Sequence, residues 1–309
     1  MNGLCWPGRP NLYDLFKPAL LFQELGLKGR SCATSMYKIE PHPPWYKLNL
    51  KELWTYRDLI LIFVRRDIVS MYKQTILGPL WFFLAPLFTV LTFTLVFNRI
   101  AGLSTDGLPA PLFYLTGTTL WNYFQQSFLG ASGTFVSNAQ LFGKVYFPRL
   151  AAPLALVVSN LFKFFIQFGM LMVFWTYYWQ QGLVAPSLKM FYLPLFLVLM
   201  ALLALGVGLL VSSLTTKYRD LSHFLGFGVT LLMYASPVIY SMNQVPPQYQ
   251  VLVNWNPLAP VLEGFRYCLT GAGQLSWSGL GFSTLIALLL LTVGAFMFNR
   301  TEKTFMDTV

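Results

Sequence analysis

At 309 residues the chain is long enough for one large domain or two small ones. Hydrophobic residues make up 56% of it and charged residues 10%, against roughly 25% charged in typical soluble proteins, which excludes an ordinary soluble domain. The formal net charge of +10 is scattered through short segments and forms no continuous basic stripe, so nucleic acid is excluded as a partner.

Six windows carry no Asp, Glu, Lys or Arg: 74–98, 107–143, 164–188, 190–216, 221–262 and 267–299. A crossing helix needs about 20 mostly apolar residues, so each window can hold one. The expected fold is an all-α integral membrane protein with six transmembrane helices. If the N-terminus lies inside, the inner flanks hold Arg65, Arg66, Lys73, Lys144, Arg149, Lys217, Arg219, Arg300 and Lys303. The outer loops hold only Arg99, Lys189 and Arg266. That asymmetry follows the positive-inside rule for an N-in, C-in chain.

Residues 1–44 are rich in Pro, Gly and mixed charge and read as a poorly ordered cytoplasmic tail ahead of a membrane domain at 45–309. Coherent patterning begins only after Met36, which makes that residue an alternative start. From Asn49, a plausible N-cap, residues 50–73 mix apolar and charged side chains. They predict an amphipathic helix at the cytoplasmic interface, with Trp54 and Tyr56 at headgroup level. A helix packed within a cytoplasmic domain is the alternative. Trp54, Arg57, Asp58, Arg65, Arg66 and Asp67 are its candidate functional residues.

The first crossing is expected over about 79–98, interrupted by Pro86, and the second over about 111–135. The second carries Thr116, Thr118, Thr119, Asn122, Gln125, Gln126 and Ser127, which must face other helices or a wet pathway. The segment 140–152, with two cations, a glycine and a proline, predicts a short inner helix or turn. The third crossing (about 153–179) holds Lys163 near its middle, a cation that needs a partner, a cavity or room to snorkel. The fourth (about 190–213) ends at Lys217, Tyr218, Arg219 and Asp220.

The 42-residue window 221–262 is too long for one crossing and too apolar for a loop. The fifth crossing is expected to end at Ser236-Pro237. Asn256-Pro257 then starts a short helix, since Asn caps and Pro suits the first helical position. Glu263 and Arg266 stand three apart on it, close enough to pair. Short re-entrant helices over 246–273 are therefore expected between the fifth and sixth crossings, the sixth falling at about 279–298.

The chain has no G-x-x-x-x-G-K-[ST] motif and so no P-loop for ATP. Cys5, Cys32 and Cys268 fit no zinc or redox spacing, and no metal site is expected. No crossing holds a mid-membrane Asp or Glu, which argues against an ion-coupled carrier. The carboxylates Glu263 and Asp106 are remote in sequence and offer no catalytic pair. A transported substrate would have to be driven by another subunit.

Four segments in order, LNLKELWTYRDLILIFVRRDIVSMYKQTILGPLWFFLAPL, LFGKVYFPRLAAPL, KYRD, and ASPVIY followed by NWNPLAPVLEGFR, resemble the membrane subunits of type-2 ABC transporters that export bacterial polysaccharides. The likeness covers roughly residues 45–300. It implies an inner-membrane, multi-pass homodimer driven by a separate cytoplasmic ATPase that binds ATP and Mg, with no cofactor in this chain. The implied substrate is a lipid-linked glycan such as O-antigen or capsule.

By the same resemblance, 50–73 is the interface helix and 140–152 seats on the ATPase through Lys144, Val145, Tyr146, Phe147, Pro148 and Arg149. Membrane orientation alone is the plainer account of Lys144 and Arg149. Candidate pathway residues are the aromatics Trp81, Phe82, Tyr114, Trp121, Tyr123 and Tyr234, whose rings suit sugar faces, and Lys163. Packing is the alternative for each. Export of a small drug or lipid, a passive channel, and a membrane enzyme are the competing functions.

Overall fold

The computed structural model describes residues 50–73, 80–142, 144, 147–218 and 220–305. The expected tail (1–44), its possible start at Met36, and the cap Asn49 lie outside the described residues. Those described are mainly helical, with no strand among them. In chain order the α-helices are α1 (Leu50–Thr55), α2 (Arg57–Tyr72), α3 (Trp81–Phe93), α4 (Ala110–Ser132), α5 (Thr134–Ser137), α6 (Ala139–Phe142) and α7 (Ala151–Gln180). Then come α8 (Leu193–Lys217), α9 (Leu221–Tyr234), α10 (Pro247–Asn254), α11 (Ala259–Thr270) and α12 (Trp277–Phe305).

Four helical stretches are long and apolar enough to cross a membrane: Trp81–Ile100, Ala151–Gln180, Leu188–Lys217 and Trp277–Glu302. The first runs α3 through the buried Pro86 into a π-helical segment, Thr94–Ile100. A proline removes one ladder bond, and Thr89 and Thr92 donate their hydroxyls to the carbonyls of Ala85 and Phe88 (3.0 and 2.8 Å). Helix α4, 23 residues long, is absent from that set because its threonines and amides dilute its hydropathy. The apolar α9, 14 residues, rises only about 21 Å at 1.5 Å per residue.

Helix α4 is the centre of the packing. Leu112 to Trp121 is buried without a break, and α4 lies against both α7 and α8. Its threonines, Asn122 and Ser127 bond to helix carbonyls or to α7. Thr116, Thr118 and Thr119 donate to Phe113, Tyr114 and Leu115 carbonyls, each at 2.7 Å. Asn122 reaches Gln167 on α7 (3.3 Å), and Asn160 of α7 reaches Ser127 (3.4 Å). Ser127 and the threonines are buried, while Gln125 and Gln126 are half-buried.

Inside a bilayer, helices gain little from burying apolar surface against each other, because lipid is equally apolar. Close packing of small residues and interhelical hydrogen bonds, about 0.6–2 kcal/mol each, hold them instead. Helices α8 and α12 form the most extensive contact. Gly206 and Gly294 set its spacing: a Cβ on Gly294 would stand 2.6 Å from the Gly206 carbonyl oxygen, and one on Gly206 would stand 2.8 Å from the Leu291 nitrogen. Thr215 of α8 donates to the Ser132 carbonyl of α4 (3.0 Å), and Trp175 of α7 donates to the Leu269 carbonyl of α11 (2.7 Å). Trp175 is thus a core residue, while Tyr177 and Trp179 beside it are exposed.

Between α9 and α12 lie two short helices. Helices α10 and α11, of 8 and 12 residues, are roughly 12 and 18 Å long, short of a hydrocarbon core of about 30 Å. Helix α11 starts two residues later than expected, at Ala259, with Leu258 rather than Asn256 at the N-cap position; Asn256 holds the turn ahead of it, its Oδ1 accepting from the Leu258 N–H (3.0 Å) and its amide donating to Ser236 (2.8 Å). Gly271, at φ +76, closes α11 in the left-handed conformation that only glycine adopts freely. Ser283 of α12 ties back to the Pro257 carbonyl (2.7 Å).

Candidate functional site

Two clusters of candidate residues form, at opposite ends of the long helices. The first gathers around the α6–α7 turn, where Pro148 and the helix start at Ala151 fix a tight corner. Phe147 faces Phe63 of α2 edge-on (centroids 5.5 Å) and lies 5.6 Å from Phe142 of α6. Phe142 meets Phe135, which stacks on Phe298 of α12 at 4.3 Å. All five rings are buried.

Arg149 completes this hub. Its side chain is 8% exposed. Its Nη1 donates to the Glu302 carbonyl at 2.5 Å, its Nε is 3.7 Å from Glu302 Oε1, and its guanidinium sits over Phe142 at 5.5 Å. Lys144, by contrast, is exposed, and Pro148 is half-buried. Val145 and Tyr146 lie outside the described residues. The two cations that the sequence pairs together therefore have opposite orientations, one outward and one inward.

Helix α2 lies along α7. Trp54 is 70% exposed, with Arg57 stacked over it at 5.7 Å. The Arg57–Asp58 pair, 3.9 Å apart and open to solvent, adds little stability. Arg65 is exposed, while Arg66 bridges the Phe63 ring (4.9 Å) and the Asp67 carboxylate (2.8 Å). Asp67 is also the carboxylate whose field reaches the half-buried Lys163 of α7.

The second cluster holds the expected Glu263–Arg266 pair on α11, 3.0 Å apart with both side chains buried. Arg266 also donates to the Pro237 and Val238 carbonyls (2.8 and 3.4 Å) and lies 3.9 Å over the Phe113 ring of α4. One guanidinium thus clasps α4, the break after α9, and α11. Burial pushes the Glu263 carboxyl above the usual range, while Arg266 and the Met242 and Gln274 N–H groups pull it down. Asp106, remote in sequence, also acts on both members of the pair. It sits in an αL conformation (φ 50) and accepts from Ser241 and from Asn243 (3.2 Å). Beside this cluster an open, mainly apolar groove of about 820 Å³ is lined by Leu103, Leu232, Tyr240, Tyr249 and Trp255, among others.

The candidate pathway aromatics are not brought together. Tyr114, Trp121 and Tyr123 are packed inside the bundle, at 0%, 1% and 3% exposure, whereas Trp81 and Tyr234 are about half exposed. Phe82 is half-buried. Glu302 and the Phe135–Phe298 stack carry no sequence pattern, and Asp106 stands out in the sequence only as a carboxylate remote from Glu263. Single residues meeting across more than a hundred positions leave no local spacing to read.

The signature described as "ABC-2 type transporter" matches residues 58–270, from the first turn of α2 to the end of α11. The chain belongs to the ABC-2 type transporter family. This ABC-2 chain is similar to the O-antigen export system permease protein RfbA of Klebsiella pneumoniae, 26% identical over 262 residues, which cover 84% of this chain and 97% of that protein. It is similar to RfbA of Myxococcus xanthus, 22% identical with 84% and 98% covered. It is also similar to the capsule polysaccharide export inner-membrane protein CtrC of Neisseria meningitidis serogroup B, 23% identical with 80% and 92% covered. Both clusters lie mainly within the matched span of the ABC-2 chain; the ends of the first, at Phe298 and Glu302, fall beyond it.

Proposed function

We propose that this chain is the permease of an ATP-driven exporter that moves a lipid-linked polysaccharide, of the O-antigen or capsule type, across the bacterial inner membrane. The observation that carries the reading is near-full-length similarity to permeases named for that export. Six crossings, with both ends cytoplasmic, complete the fold: the four long apolar helices, the polar α4 shielded by its neighbours, and α9. The α1–α2 segment is the interface helix, and α10 and α11 are the re-entrant pair on the outer side. Two copies of the chain form the pathway, and a separate ATPase supplies ATP and Mg chemistry. The exposed Lys144 and the Phe147–Pro148 corner are the seat for that ATPase, rigid enough to pass its closure into the helices.

Inverted membrane vesicles containing the chain and its ATPase test this. Uptake of a polyprenyl-diphosphate-linked glycan should require hydrolysable ATP. Uptake that proceeds without ATP would make the chain a passive channel, and uptake of a small lipid but no glycan would replace the substrate.

A further inference from the structure

We infer that Arg149 and Glu302 latch the Phe147–Arg149 corner to the end of α12, so that the two move as one body during transport. Arg149 is then a positioning residue that transmits force, and Lys144 alone of the two cations is available to dock a partner. This rests on the proposed exporter reading.

Three observations converge on the latch. Arg149 is turned inward and buried, its guanidinium shared between the Glu302 carbonyl, the Glu302 carboxylate and the Phe142 face. A planar cation that meets both the backbone and the side chain of one residue fixes orientation as well as distance. The aromatic hub makes a second, independent link, since Phe135 bridges Phe142 near the corner to Phe298 on α12. Close-packed rings transmit displacement without compressing. Further along, α12 is seated on α8 with glycine backbones in contact at Gly206 and Gly294, which leaves no slack for the two to slide apart. A push on the corner therefore reaches α12 and, through it, α8. Helix α2 joins the same body through the Phe63–Phe147 contact. An arginine that only oriented the chain in the membrane would have no reason to be desolvated against Glu302.

The test uses the full chain co-expressed with its ATPase in the host that makes the glycan. Arg149→Ala is expected to accumulate in the membrane, to co-purify the ATPase at wild-type stoichiometry and to hydrolyse ATP within about two-fold of wild type. Surface glycan per ATP hydrolysed should fall at least about ten-fold, the size expected when a positioned group is lost. Arg149→Lys keeps the charge with a single point of contact and should retain an intermediate export ratio.

In a background with Cys5, Cys32 and Cys268 replaced, Arg149→Cys with Glu302→Cys should be export-deficient, and closing the pair with a short bifunctional thiol reagent should restore export. Wild-type export by Arg149→Ala, loss of the ATPase from that variant, or a cross-linked pair that stays inactive would each overturn the latch. If Arg149→Ala is missing from the membrane, Arg149→Lys decides, and wild-type export by it overturns the latch. A wild-type complex that exports no glycan would instead refute the exporter reading.

Discussion

Replacing Arg266 with methionine removes the one cation from a buried cluster, and the size of the loss can be worked from the structure. Glu263 is 4% exposed and cannot keep a charge there without a partner, so it takes a proton. Holding neutral a carboxyl whose unfolded pKa is about 4.3 costs about 1.4 kcal/mol per pH unit above that value; because burial already raises the wild-type carboxyl, its contribution to the gap between variant and wild type is at most roughly 3.7 kcal/mol at pH 7 and at most roughly 1 kcal/mol at pH 5. The carbonyls of Pro237 and Val238 lose their donor, adding a pH-independent loss of roughly 1–3 kcal/mol.

The sign follows from the raised folded pKa in the variant. Stability is fully present below the unfolded pKa and is lost as pH rises, so the gap to wild type widens between pH 5 and pH 7. Thermal unfolding of the detergent-purified chain at both pH values, followed by tryptophan fluorescence, reads this directly. The double replacement Glu263→Gln, Arg266→Met should lose the pH-dependent part and keep the constant part. A gap that does not change with pH would refute the claim that Arg266 is what keeps Glu263 charged.

Other outcomes follow from the same contacts. Gly294→Leu must push α12 off α8, because its Cβ would meet the Gly206 carbonyl oxygen; overpacking of this kind costs about 1–3 kcal/mol or more. The unfolding midpoint should drop accordingly, whereas Gly169→Leu, with open space around it, should leave it unchanged. Trp175→Phe leaves the Leu269 carbonyl without its indole donor and should cost roughly 1–3 kcal/mol, read as a lower midpoint with unaltered helix content. Lys144→Glu, at an exposed position, should leave chain accumulation untouched and cut ATPase co-purification by about ten-fold, the scale of one lost charge contact.

Much of this fold was legible in the sequence because lipid imposes a simple rule. Charge-free stretches of sufficient length must be helical, and the long helices fall where such stretches do. The short helices after α9 were legible from Ser236-Pro237 and Asn256-Pro257, since proline acts locally through its missing N–H. The Glu263–Arg266 pair was legible because three residues along a helix is a fixed distance. What could not be read were meetings between distant segments. Arg149 and Lys144 look alike as loop cations five residues apart, and only the tertiary path of α12 turns one inward.

The aromatics show the same limit. Tyr114 and Trp121 sit on α4, and sequence spacing does not say that α4 is enclosed by α7 and α8 while α3 is not. Lys163 needs a partner by its depth, and the carboxylate whose field reaches it, Asp67, stands on α2, nearly a hundred positions earlier, which lies along α7.

The central claim is that this chain carries a polysaccharide out of the cytoplasm. Its most direct test is deletion of the gene in the source bacterium, followed by fractionation of the glycan. The account predicts that glycan accumulates inside the cell on its polyprenyl carrier and returns to the surface when the gene is restored. Normal surface display in the deletion strain would contradict it.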